Sequence, residues 1–266
     1  MIGALLAIAI PVLENPEALQ LHGGARAYFE SAYVSSSGRL SYTQPVAEQW
    51  GFLSVNHEDW GWLMTDAWLC SALNGQTDDV HRRAFYCYEG TVTYGNTFGI
   101  AKDVVLRAWG GWIWDWLGGY KSDVGTPHGW ISEFSLLNPY VTPYLNALGF
   151  IEHSTWVRIR CGVNHAFRFF DTVTFTPFIE TTWGDADRYY SNFGVETDGP
   201  FLGGALMFMS AGFICEWMFW DPFYAWGRFR EYVLIDRDAR DKVQSSDSPL
   251  AKTDYPVFGL GVGFRF

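Results

Sequence analysis

Hydrophobic and polar positions alternate with period two along much of this chain. The clearest run is 255–266, where Phe258, Leu260, Val262, Phe264 and Phe266 fall on one face and Val257, Gly259, Gly261, Gly263 and Arg265 on the other. Successive side chains of a strand point to opposite faces, so this is a strand with one apolar and one small or polar side. Residues 156–168 repeat the pattern, with Arg158, Arg160, Gly162, Asn164 and Arg168 against Val157, Ile159, Cys161, Val163 and Phe167. In 172–184, Thr172, Thr174, Thr176, Glu180 and Thr182 oppose Val173, Phe175, Pro177, Ile179 and Trp183. The same reading predicts strands over roughly 25–36, 46–56, 60–72, 83–96, 102–116, 128–137, 141–151, 155–168, 172–185, 200–210, 214–234 (with a break near Asp221-Pro222) and 255–266, about twelve in all. The stretch 200–220 alternates poorly, is apolar on both faces, and reads as a segment packed on a partner, a plug or the N-terminal segment, or as a short buried helix.

The connections sort by length. Ser36–Pro45, Asn74–Arg82, Leu117–Pro127, Ala186–Gly199 and Asp236–Asp254 are long and rich in turn residues, with the short connection at Glu152-His153 as the exception. Between them lie short ones: 57–59, 97–101, 138–140 and 169–171. Alternation alone does not say which face points inward, because a soluble barrel would put the apolar face inside. The segregation of loop lengths favours a membrane barrel, in which short turns lie at one end and long loops at the other.

The closing strand, ending in Phe266, resembles the last strand of bacterial outer-membrane β-barrels, which commonly ends in an aromatic residue. The resemblance implies that Phe264 and Phe266 form an assembly signal read by the barrel assembly machinery. Tyr33-Val34-Ser35-Ser36-Ser37-Gly38-Arg39 with Gln44-Pro45-Val46 resembles the first hairpin of a family of conserved hypothetical outer-membrane barrels. The stretch from Glu133 through Leu136-Leu137-Asn138-Pro139-Tyr140 to Trp156 and Val163-Asn164-His165 resembles its middle hairpins. That family implies a small barrel of about twelve strands and supplies no catalytic residues. The expected fold class is therefore all-β: an antiparallel transmembrane β-barrel over 24–266, with both termini periplasmic, in the bacterial outer membrane. Residues 1–23 form a separate apolar segment, Ile2–Leu13 at its centre, readable as a signal peptide without its basic region or as a retained plug or anchor.

Composition sharpens this. Aromatic residues make up 18% of the 266 positions, with 14 Trp, 14 Tyr and 21 Phe, and Trp and Tyr concentrate where an apolar slab meets water. A mean hydropathy of −0.03 suits a barrel in which lipid-facing and lumen-facing residues cancel. The net charge of −11 opposes nucleic-acid binding, which needs a basic surface. Acids at Asp78, Asp79, Asp185, Asp187, Glu196, Asp198 and along 236–254 read as solvated loops, with divalent-cation binding as the sharper alternative. The four cysteines, Cys70, Cys87, Cys161 and Cys215, lack metal-ligand spacing, and no cofactor is expected. Cys161 falls on the apolar row, while Cys70 and Cys87 flank one loop on adjacent strands, where a disulfide is possible.

If the polar faces point inward, the lumen is lined by Arg26, Glu30, Glu89, Arg107, Asp115, Glu133, Arg158, Arg160, Asn164, Glu180 and Arg265. Such mixed charges either close the barrel as a salt-bridge lattice or set up a transverse field in a narrow channel for small solutes. Trp109, Trp112, Trp114, Trp116 and Trp130 read as an aromatic girdle at the outer interface, with a sugar- or protein-binding platform as the alternative. The histidines (His22, His57, His81, His128, His153 and His165) sit in no nucleophile frame; Ser154 adjoins His153, but strand neighbours point to opposite faces. A hydrolase, of serine type or built on Asp185 and Asp187, therefore ranks behind a channel and behind a non-catalytic structural or interaction subunit. Expected partners are outer-membrane lipid, the assembly machinery, and other envelope proteins through 200–220 or the outer loops.

Overall fold

The computed structural model describes residues 19–34, 40–73, 86–118, 128–150, 156–184, 205–245 and 252–266. Twelve long strands form: β1 (Leu19–Glu30), β2 (Val46–His57), β3 (Gly61–Ala72), β4 (Tyr86–Ala101), β5 (Val104–Gly118), β6 (His128–Leu137), β7 (Thr142–Phe150), β8 (Trp156–Asn164), β9 (Val173–Gly184), β10 (Ala205–Trp220), β11 (Phe223–Leu234) and β12 (Asp254–Arg265). Each pairs antiparallel with its sequence neighbour. The pairing of β12 with β1 closes the ring, so no long edge is left open. A three-residue piece, Phe167–Phe169, continues β8 beyond His165 and Ala166 and also pairs with β9. At nine to sixteen residues, the strands are long enough to cross a hydrocarbon core at a tilt.

The faces are inverted relative to a soluble barrel. The apolar row of β12 points outward, with Leu260 70% exposed and Phe258, Val262, Phe264 and Phe266 also open. Leu53, Val55, Val92, Phe98, Leu145, Ile159 and Phe213, from strands around the ring, are exposed likewise. Buried instead are Glu30, Glu48, Arg158, Glu180, Asn146 and a series of threonines and serines. This is the arrangement of a transmembrane β-barrel, whose outer face is solvated by lipid.

The closing strand shows why its two faces are so unequal. On the inner side, rings from both neighbouring strands lie across it. A Cβ at Gly261 would come within 2.3 Å of Tyr28 Cβ and 2.4 Å of the Ala27 carbonyl, and one at Gly263 within 2.6 Å of the Tyr224 ring. The chain end is stitched by paired backbone bonds between Gly23 and Phe266, 3.0 and 2.9 Å long, with the Phe266 ring over Gly23.

Among the described residues, the tight turns lie at the end that holds Leu19 and Arg265: 58–60, 102–103, 138–141, 170–172 and 221–222. Positive φ at Gly61, Asp103, Phe170 and Asp171 gives three of these turns their sharp reversal. The other end carries the longer connections. Among its described parts are a small hairpin (Tyr33–Val34 with Leu40–Tyr42) and a helix, α1 (Arg237–Gln244).

Two expectations are corrected. The first strand begins at Leu19 rather than near Gly24, so the end of the expected N-terminal segment belongs to the barrel. The expected break at Asp221-Pro222 is present, but the expected gap between 200–210 and 214 is not: Ala205–Trp220 is one unbroken strand. Its inner row mixes Ser210 and Glu216 with apolar Phe208, Ile214 and Met218, and Ile214 packs on a cluster formed by Tyr28, Tyr224 and Trp226 inside the same barrel. Residues 1–18, most of the expected loops at 74–82, 117–127 and 186–199, and the acids Asp78, Asp79, Asp185, Asp187, Glu196 and Asp198 lie outside the described residues.

A charged lumen as the candidate functional site

Period two places one residue in every pair on the inner wall, so each strand contributes a column of side chains to the lumen. Two columns carry paired arginines: Arg158 and Arg160 on β8, Arg228 and Arg230 on β11. Between them, β9 contributes Glu180. Further round the ring, β1 to β4 contribute Glu30, Glu48, Asp66 and Glu89. The lumen therefore has an arginine-rich arc, β8 to β11, and a carboxylate-rich arc, β1 to β4, which meet where Arg228 reaches Glu30 across β12.

Glu180 is the best-partnered charge. Arg230 donates to it at 3.1 Å, Tyr144 at 2.5 Å and Ser210 at 3.0 Å, and Arg160 lies 3.8 Å away. Gly162, directly across from Glu180 in the ladder, makes room for this cluster: a Cβ there would fall 2.8 Å from the Tyr144 hydroxyl and from Glu180 Cβ. A carboxylate that is 5% exposed needs such a set of donors, because an unpaired buried charge is costly. Arg158, 3% exposed, donates to Asn146 Oδ1 at 3.2 Å.

A second cluster sits around β1. Arg228 donates to Glu30, and Trp68 Nε1 donates to Glu48 at 2.8 Å and to the Tyr28 hydroxyl at 3.1 Å. Thr91 donates to Asp66. Arg26 has a different environment. Its guanidinium lies 4.5 Å from the Trp226 ring centre, 4.9 Å from Tyr28 and 5.5 Å from Trp50, and no carboxylate among the described residues pairs with it. Its Nε is buried without an acceptor. Quadrupolar ring faces hold the cation there without neutralising it.

Toward the short-turn end, Arg107 bonds Glu133 at 3.3 Å and Ser135 at 3.2 Å, and Arg265 meets Glu216 at 3.4 Å. Asn164 shares the inner row with Arg158 and stands opposite Phe178 in the ladder. All the residues expected to line the lumen thus lie on the inner row, except that the side chain of Asp115 lies outside the described residues; its backbone is paired with Glu89. Sequence reading passed over Glu48, Asp66, Glu216, Arg228 and Arg230. The two arginines share one row with Trp226 and Tyr232 at period two, a signal legible in the sequence.

The tryptophan group divides. Trp114 and Trp130 are exposed on the outer face, and Trp112 stands opposite Trp130 in the ladder with its ring 5.4 Å from His128. Trp109 is corrected: it lies on the inner row, its ring 6.4 Å from that of Trp62, with both covering Gly95. An odd position in β5 cannot share a face with Trp112 and Trp114. The side chain of Trp116 is outside the described residues. Cys161 sits among outer-row residues with its sulfur 3.3 Å from Thr181 Oγ1.

No family model matches the sequence, and a search of curated proteins returns no match. Among solved structures, an outer membrane channel from Pseudomonas putida F1 superposes with a TM-score of 0.53 at 10% identity, over 92% of this chain and 95% of that one. The KdgM porin gives 0.48 at 6% identity over 92% and 99%, and OprB of Pseudomonas putida gives 0.41 at 7% identity over 97% of each chain. At these identities the likeness concerns the fold: a closed, antiparallel barrel of the outer-membrane kind.

Proposed function

We propose that the protein is a narrow channel for small polar solutes in a bacterial outer membrane, with both termini and the tight turns on the periplasmic side. The observation that carries this reading is the inner wall, where arginines on β8 and β11 line one arc and carboxylates on β1 to β4 another, inside a barrel whose exterior is apolar. Opposed charges across a narrow lumen create a transverse field that orders dipolar permeants and discriminates among ions. The fold shared with an outer membrane channel supports it. The proposed reading is non-enzymatic. Phe264 and Phe266 serve as the assembly signal, and lipid and the assembly machinery are the first partners.

One observation favours a second reading. Inner side chains on every strand are nearly sealed from solvent, including Cys70, Thr93, Ile113, Ser135, Leu148 and Trp226. A barrel of this size can be filled by its own side chains, and it then serves as a scaffold for other envelope proteins through β10 or the outer loops. Single-channel recording of the refolded protein in a planar bilayer separates the two. Stepwise conductance whose ion selectivity changes in Arg158→Ala and Arg160→Ala supports the channel; a folded, inserted and silent barrel overturns it in favour of the scaffold.

A further inference from the structure

The four cysteines are not equivalent. Cys161 and Cys215 occupy outer-row positions on β8 and β10, strands separated by β9, and stand opposite Leu145 and Thr181, and Phe175 and Gly227, respectively. Cys70 and Cys87 stand directly opposite each other in the β3–β4 ladder. Both point to the inner row, both are wholly buried, and both pack against Val46 with Trp68 and Ala72 beside them. Directly opposed residues of an antiparallel pair have Cα atoms about 4.5 or 5.5 Å apart, and both spacings lie within the range that a disulfide spans. Both are thiols in this structure.

We infer that Cys70 and Cys87 form a cross-strand disulfide in the native protein, stapling β3 to β4 at the long-loop end of the lumen. The inference rests on the proposed envelope location, because an oxidising compartment must supply the oxidant. That oxidant is a disulfide of the thiol-exchange class. One cysteine, as thiolate, attacks the oxidant's S–S bond, forms a mixed disulfide and releases one thiol. The other cysteine then attacks the mixed disulfide, forms the Cys70–Cys87 bond and releases the second thiol. The pair loses two protons and two electrons, and the oxidant's disulfide becomes two thiols. Because both sulfurs are sealed in the closed barrel, the bond forms on the β3–β4 hairpin before closure. That hairpin is local in sequence, so its two cysteines meet early.

The test counts thiols. Protein extracted from the envelope without reductant is unfolded in excess N-ethylmaleimide and weighed. Two adducts are expected, on Cys161 and Cys215, with a linked peptide containing Cys70 and Cys87; after reduction, four are expected. In Cys70→Ser the unreduced count should rise to three although a cysteine has been removed. A parallel sample, unfolded as thiols and refolded into detergent with oxidised glutathione, tests the pairing without reference to the cell. Four adducts, a retained glutathione adduct or a bond to Cys161 or Cys215 in that sample overturns the pairing. A correct bond there with four free thiols in the cell-derived protein overturns the oxidising location instead.

Discussion

Glu180 and Arg26 are both inner-wall charges, yet the barrel treats them in opposite ways. Glu180 is met from four other strands, by Arg230, Tyr144, Ser210 and, at longer range, Arg160. Arg26 receives ring faces and no counter-charge among the described residues. Full ligation makes the first cluster a mechanical tie between β7, β8, β9, β10 and β11. The second leaves a positive potential in the lumen, held in place by Tyr28, Trp50 and Trp226. The same folded wall therefore contains a lock and a field source, and substitutions should separate the two functions.

The largest effect is expected at the lock. Glu180→Ala leaves Arg230 and Arg160 facing each other with no carboxylate between them, and breaking a buried charge network costs about 3–5 kcal/mol. Urea unfolding of the barrel refolded in lipid vesicles should register that loss; a midpoint equal to wild type would mean that the cluster ties nothing together. Next comes Gly261→Val on the closing strand. The new Cβ meets the Ala27 carbonyl, a backbone atom that has no room to yield. Overpacking of this kind costs roughly 1–3 kcal/mol, or more where backbone must shift. Folding yield measured by heat-modifiable gel mobility should fall for Gly261→Val and far less for Gly259→Ala, whose nearest contacts, at 3.0 and 3.1 Å, are side-chain atoms of Trp226 and Glu30.

Arg26→Ala should separate field from stability. Its ring contacts are worth about 1 kcal/mol, so unfolding should shift little. Removing the uncompensated charge should move the reversal potential in a salt gradient toward cations, by about twofold in the permeability ratio. An unchanged reversal potential would show that Arg26 contributes no field to the conducting path. The smallest change is expected for Arg265→Ala. Its pairing with Glu216 lies at the open end of the lumen, with the arginine 48% exposed, and exposed ion pairs contribute about 0–1 kcal/mol.

These contrasts also show how much of the molecule was legible in the sequence. The faces of 255–266 and 156–184 were readable because lipid-facing bulk alternates with glycine, threonine or charge, and register then fixed the direction of every side chain. The strand 205–220 was not, since Phe208, Ile214 and Met218 face inward while Phe213 and Trp217 face outward, so period two disappears when both environments are apolar. Trp109 was assigned to the girdle by proximity in sequence to Trp112, although its odd position already placed it on the other face. Which charges would meet was beyond the pattern: Glu30 with Arg228 joins the first strand to the eleventh, a contact set by ring closure. The aromatic box around Arg26 likewise draws on β1, β2 and β11, and no single segment reveals it.

The account depends most on the inversion of faces, and the accessibility of spin labels in lipid vesicles tests that directly. Labels would replace Leu53, Leu260 and Val262 on the outer row, and Arg107 and Glu133 on the inner row, one at a time in a cysteine-free background. The outer labels should collide with dissolved oxygen and be shielded from a water-soluble nickel chelate, and the inner labels should show neither lipid contact nor high oxygen accessibility. Nickel-accessible labels at Leu260 and Val262, with lipid-exposed labels at Arg107 and Glu133, would contradict the assignment of the lumen and the function built on it.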